Sequence, residues 1–190
     1  MTPYEAALIA EQAYIAKPDI GVAESASRAI VRPQADGSVV IAFPGTDNHE
    51  SFLADIDVLT VSTPYGELHR GFWEAWSAIA TDVGQAIDGR PWIPVGHSLG
   101  AALAIIADLV YPSVQVYGFE PPRVSPHALP DRPRYLTRNG NDAITDVPLG
   151  WPTAGPLTQI GHARYPLPNI DDHFLAGVIA ALKPAEAAVA

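Results

Sequence analysis

The 190-residue chain contains no cysteine, which removes disulfides, thiolate metal sites and cysteine nucleophiles together. Positive charge is scarce: 11 Lys and Arg stand against 21 Asp and Glu, a formal net charge of -10. That balance argues against a nucleic-acid partner or a polybasic membrane anchor, and solubility is its simplest reading. Charged residues amount to 17% and hydrophobic ones to 48%, so the chain has the means to bury a sizeable core and is not disordered as a whole. No uninterrupted apolar run reaches transmembrane length. Met1-Thr2-Pro3-Tyr4-Glu5 lacks a basic n-region, and Glu5 and Glu11 interrupt the apolar pattern behind it. No signal peptide is visible, and a cytoplasmic location or leaderless export is expected. Repeats, linkers and low-complexity tracts are missing too, so residues 1–184 read as one domain with a frayed tail over 185–190.

What is present is a sharp local signal. Gly96-His97-Ser98-Leu99-Gly100 has the G-x-S-x-G form of a nucleophile elbow, a turn that lifts a serine off the end of a strand and starts a helix. Trp92-Ile93-Pro94-Val95 before it reads as a short buried strand, and Ala101 to Val110 after it as an apolar helix. The glycines suit a turn in which two backbones pass close together. Ala6, Ala7, Ile9, Ala10, Ala13 and Tyr14 recur at helical spacing. Arg28 to Arg32 and Ser38 to Phe43 form a hairpin pattern around Gln34-Ala35-Asp36-Gly37. Gly71 to Ile87 is periodic as a helix. Strands are expected at Val114–Phe119, Arg134–Arg138 and Gln159–Tyr165, and a last helix over Asp172–Leu182. Prolines gather in 121–133 and 148–168, which must be ordered loops. The alternation predicts an α/β fold with a parallel-rich sheet covered by helices.

A serine nucleophile needs a base, and the base an orienting carboxylate. In the serine–acid–histidine chain order, His49 and His69 come too early. His97 sits on the elbow itself and is expected to point away from the site, and His127 lies in a proline-rich loop ahead of the acid. His173, in Asp171-Asp172-His173-Phe174-Leu175 at a loop-to-helix junction, is favoured as base, with His162 as the alternative. For the acid, Asp142 in the turn-rich Asn139-Gly140-Asn141-Asp142 is favoured. Asp146 is a near neighbour, and Glu120, at the end of the strand after the elbow, is the alternative acid. The oxyanion needs donors: the Leu99 N–H is one, and Pro44-Gly45-Thr46 after an early strand offers Thr46 as another.

Phe43 to Thr46, His69-Arg70-Gly71-Phe72, Gly96 to Gly100, Pro122-Arg123-Val124, Asn141-Asp142 and the late His173 occur in one order. In that order the chain resembles the fungal-type (class 3) lipases, over roughly residues 4 to 182. The resemblance implies an α/β-hydrolase acting on acylglycerol-like or other acyl esters through Ser98, Asp142 and His173. It implies Thr46 and Leu99 as the oxyanion hole, a lid over Asn48 to Asp57, and no metal or organic cofactor. The expected partner is a small-molecule or lipid ester; a lipid interface would be touched only transiently. Departures are specific: Pro44 replaces a common arginine, Glu120 and Ser125 stand where glycine is usual, and Phe52 stands where tryptophan is common. Asp142-Ala143-Ile144-Thr145 replaces the usual Asp-x-Val-Pro. A small-ester or thioester hydrolase, and a silent binding scaffold, are the competing readings.

Overall fold

The chain enters its first helix, α1 (Pro3–Ile15), through a reciprocal pair of hydrogen bonds. The Glu5 amide donates to Thr2 Oγ1 at 3.2 Å, and the Thr2 amide donates to the Glu5 carboxylate at 2.7 Å. Two otherwise unpaired donors are satisfied there, and Pro3 costs no helical hydrogen bond in the first turn. The computed structural model describes residues 1–46 and 58–184. The expected lid, 48–57, and the expected tail, 185–190, lie outside the described residues.

After β1 (Ile20–Gly21), β2 (Arg28–Pro33) and β3 (Val39–Phe43) form the expected hairpin. Asp36 sets its turn by accepting from both the Ser38 amide and hydroxyl, at 3.0 and 2.6 Å, while Gly37 takes φ 85°. A separate two-stranded ribbon, β4 (Thr60–Thr63) and β5 (Gly66–His69), follows. Next come α2 (Arg70–Ser77), α3 (Ala80–Ile87), β6 (Trp92–His97), α4 (Leu99–Val110), β7 (Val116–Phe119), β8 (Arg134–Asn139), β9 (Leu157–Ile160) and α5 (Leu175–Leu182). The main sheet runs β1-β2-β3-β6-β7-β8-β9; the β1–β2 and β2–β3 pairings are antiparallel and the rest parallel.

Period-two alternation in β3 sends Val39, Ile41 and Phe43 to one face and Val40 and Ala42 to the other. The first face is covered by α2, α3 and α4, the second by α1 and α5. Both faces of β3 are fully buried, as a central strand of a doubly covered sheet requires. Helix α4 is apolar nearly all round, and Leu99 to Leu109 are all buried. On the opposite face α1 meets the sheet through Ala6, Ala10 and Ala13, small residues that let it lie close.

Three expectations are corrected. Gly71–Ile87 is two helices, because Ile79 leaves the helical region (φ -122°, ψ 0°) and the chain bends there. Phe72 and Trp76 then pack toward α4, while α3 turns toward β1. The Asp172–Leu182 helix begins only at Leu175. Phe174 is extended, and a 3-10 turn over Asp171–His173 precedes it. Strand β9 ends at Ile160, and left-handed Gly161 (φ 58°) turns the chain away before His162.

The far end of the sheet is tied by Asp108, whose side chain is 2% exposed. It accepts from the Ser113 amide and hydroxyl at 3.0 and 2.7 Å, and from Arg134 Nη2 at 3.2 Å. This joins the end of α4 to the approach to β7 and the start of β8. Removing one partner strands a buried guanidinium, so Asp108→Ala is expected to cost about 3–5 kcal/mol. Urea unfolding checks this; a loss below about 1 kcal/mol, the size typical of an exposed pair, would contradict it.

Candidate active site

The site gathers at the carboxyl ends of the parallel strands, the edge where open α/β sheets place their ligands. Between β6 and α4, Ser98 adopts φ 57° and ψ -128°, a backbone conformation that costs a non-glycine residue roughly 1–3 kcal/mol. The flanking glycines explain how that turn closes. A Cβ on Gly96 would collide with the Gly100 carbonyl, and one on Gly100 with the Phe43 carbonyl. The Ser98 amide donates to the Phe119 carbonyl at 2.9 Å and is therefore committed to the sheet. Ser98 Oγ is buried and has no hydrogen-bond partner among the described residues.

The turn after β8 delivers Asp142, and the 3-10 turn before α5 delivers His173. Both are fully buried, with His173 Nδ1 3.0 Å from Asp142 Oδ1. The same oxygen accepts from the Ile144 amide at 2.9 Å, which fixes the carboxylate's orientation. A neutral imidazole that donates from Nδ1 keeps Nε2 as an acceptor, the tautomer a general base requires. Asp146 is engaged elsewhere: its carboxylate binds Arg123 at 3.2 Å and Arg138 at 2.9 Å. The alternative base, His162, lies exposed on the loop after β9. His69 caps α2 and stacks on Phe72, with ring centroids 4.0 Å apart, and His127 faces Glu67 at 3.1 Å. His49 lies outside the described residues.

Three supporting side chains were not legible as such in the sequence. His97 does not simply point away. Its Nε2 lies 2.8 Å from the His173 carbonyl and its Nδ1 2.7 Å from Tyr14 Oη. A carbonyl only accepts, so Nε2 carries the proton and Tyr14 donates to Nδ1. The elbow thereby holds the backbone of His173, with the two imidazole centroids 4.7 Å apart. Asp172 clamps the loops from the other side. It accepts from the Asn141 amide at 2.9 Å, the Arg164 amide at 3.2 Å and the Asn169 side chain at 3.0 Å. Burial alone would push the Asp172 carboxyl up, but these donors and the Arg164 charge together hold it below the usual carboxylate value of 3.8. Its only sequence signal was its place beside His173.

Glu120, the alternative acid, is fully buried at the end of β7 and left-handed, φ 55°. It accepts from the Asn139 amide at 2.8 Å and from the Thr137 hydroxyl at 2.9 Å, and a carboxylate oxygen lies within 4.8 Å of one on Asp142. Burial, then the neighbouring Asp142 charge, pushes its carboxyl well above the ordinary value of 4.5. The carboxylate placed against the imidazole is that of Asp142, with Glu120 behind it. Glu120, Asp142 and His173 bring potential ligand atoms within 4.8 Å of one another, the set among the described residues that could hold a cation. A cation there would have to displace the Asp142–His173 contact.

On the oxyanion side, Gly45 runs against the elbow. A Cβ there would meet the His97 carbonyl at 2.8 Å and Ser98 Cβ at 2.9 Å, and would collide with Tyr14 Oη. Thr46 follows directly, and Leu99 opens α4, where first-turn amides lack helical acceptors. A cavity of about 560 Å³ opens beside this loop, with Tyr14, Lys17, Glu24, Arg28, Gly45 and Thr46 in its wall.

Residues 40–150 match the family model described as lipase (class 3). A secreted mono- and diacylglycerol lipase A from Penicillium cyclopium is 31% identical over 122 residues, 56% of this chain and 39% of that protein. The protein of the same name from Penicillium camembertii matches equally. The chain thus spans about two-fifths of the length of these curated relatives. Lipase II from Rhizopus niveus superposes with a TM-score of 0.70 at 17% identity, covering 90% of each chain. At that identity the likeness carries the fold, an α/β-hydrolase, and no more.

The Asp172 clamp yields a test. Its lowered pKa means that the ionised form favours the folded state. The contribution is complete above about pH 4 and is lost as pH falls through the folded value. Asp172→Ala should destabilise the protein by about 2–4 kcal/mol at pH 7. Urea unfolding at pH 7 and pH 3 should show a smaller gap at pH 3; an equal gap would contradict the role of the charge.

Proposed function

The chain belongs to the class 3 lipase family, and on that premise we propose that it is a serine carboxylic-ester hydrolase working through an acyl-enzyme. The observation that carries the proposal is the elbow. Ser98 is held at φ 57° with a hydroxyl that has no hydrogen-bond partner among the described residues, and the buried His173–Asp142 pair is tied to the same turn through His97.

In this reading Ser98 Oγ attacks the ester carbonyl while His173 Nε2 takes its proton. Asp142 holds the imidazole tautomer and stabilises the imidazolium. The Leu99 amide and Thr46 receive the developing oxyanion. Collapse breaks the carbonyl–alkoxy bond, and His173 returns the proton to the departing alcohol. Water, deprotonated by His173, then attacks the acyl carbon; the bond to Ser98 Oγ breaks, His173 returns the proton to Oγ, and the acid leaves. Apart from that water, every step uses the chain's own groups.

The acyl and alcohol parts are a finer matter. The relatives' names refer to acylglycerols, and esters of that class, met in solution or by transient contact with a lipid interface, are the first reading. The cavity beside Thr46 favours a second. Lys17, Glu24 and Arg28 in its wall suit a short or polar ester better than a long alkyl chain. A chain-length series of p-nitrophenyl esters, measured below and above each ester's solubility limit, separates the two. Rising activity above the limit supports interfacial action; saturation below it, with preference for short acyl groups, supports the second reading.

Ser98→Ala should remove turnover of every ester in the series. Asp142→Ala should lower kcat by about 10³–10⁴-fold, because the imidazole loses its tautomer and its counter-charge. A Ser98→Ala protein that retains wild-type turnover would overturn the proposal.

A further inference from the structure

The most unusual buried group is one that the triad chemistry does not use. Glu120 sits at zero exposure in a left-handed backbone conformation that favours glycine, with a carboxylate oxygen within 4.8 Å of one on a second buried carboxyl, Asp142. Two carboxylates this close inside a protein cannot both carry charge without a nearby cation. Arg123 and Arg138, on adjoining segments, pair with Asp146 instead.

Hydrogen-bond accounting leads to the same place. Asp142 Oδ1 accepts from the Ile144 amide and lies 3.0 Å from His173 Nδ1, whereas Oδ2 is buried with no hydrogen-bond partner among the described residues. Glu120 has donors from Thr137 and Asn139. A hydroxyl on Glu120 gives Asp142 Oδ2 the donor that it lacks and removes the repulsion at once.

We propose that Glu120 is a positioning residue that stays protonated at working pH and donates its proton in a hydrogen bond to Asp142 Oδ2. Glu120 and Asp142 then share one proton and one negative charge, and the charge is steered to Oδ1, the oxygen that faces His173. The titratable groups facing Glu120 are Asp142 and His173; β8 offers it only the neutral Thr137 hydroxyl and Asn139 amide. Burial and the Asp142 charge, which raise the Glu120 pKa, act in the direction that keeps the proton there. No bond is made or broken to substrate by Glu120, which acts through Asp142 alone.

The kinetic part rests on the ester-hydrolase reading, so the test has an arm that needs no turnover. Infrared spectra of the wild type and Glu120→Gln are compared in D₂O at pH 7. A protonated-carboxyl C=O band above the amide I envelope should be present in the wild type and missing from the variant. No such difference would mean that both carboxyls are ionised and would overturn the proposal. In the kinetic arm, Glu120→Ala should lose about 10–100-fold in kcat with KM little changed, the size expected when a buried charged acceptor loses its donor. Glu120→Gln, which keeps a donor, should recover most of that loss and leave the acid limb of the kcat/KM profile in place. A shift of that limb to lower pH in Glu120→Gln would show that a charge, not a proton, had been removed, and would also overturn it. If the wild type hydrolysed no ester, the hydrolase reading would fail while the infrared result still decided the protonation state.

Discussion

The site depends on how closely two backbones pass at the end of β3 and β6. Gly100 rests on the Phe43 carbonyl, Gly96 on the Gly100 carbonyl, and Gly45 against Ser98 itself. No side chain fits at these points, and that closeness forces Ser98 into its left-handed conformation. The strain is held by the sheet through the Ser98 amide and by α4, which is buried along almost its whole length. A loosely packed helix could not keep a serine there.

Around this rigid centre the histidine and its acid arrive on irregular chain. Two polar networks replace the missing secondary structure. Tyr14 and His97 hold the His173 carbonyl from the elbow side, and Asp172 gathers the amides of Asn141 and Arg164. A bridge between Asp142 and Asn169 closes the loop pair, with the Ala143 amide donating to the Asn169 carbonyl at 3.0 Å. Glu120 completes the set by occupying the space behind Asp142. Buried polar networks of this kind fix geometry only when each member is satisfied, which is why the proton on Glu120 matters to its neighbours.

Much of this was legible in the sequence, for identifiable reasons. The hairpin at Gln34–Gly37, the elbow with its strand and helix, and the ordered sheet strands β7 and β8 rest on local signals: turn formers, glycine spacing and apolar runs. Failures came where tertiary packing overrides local pattern. Ile79 belongs to a continuous helical periodicity, yet the chain bends at it so that α2 and α3 cover different parts of the sheet. His97 looked like a bystander because its partners, Tyr14 and the His173 carbonyl, are 83 and 76 residues away in sequence. Asp172 was hidden for the same reason. Glu120 stands out in the sequence as a departure from glycine and as a rival acid, but its place behind Asp142 is set by the β7–β8 register, which pairs Phe119 with Thr137.

The central claim is that Ser98 is the nucleophile. It is tested most directly by treating the folded protein with a fluorophosphonate and mapping the adduct by mass spectrometry. The account predicts one phosphonyl group, on Ser98. A folded protein left unlabelled while a control serine esterase is modified, or an adduct on a different residue, would contradict it.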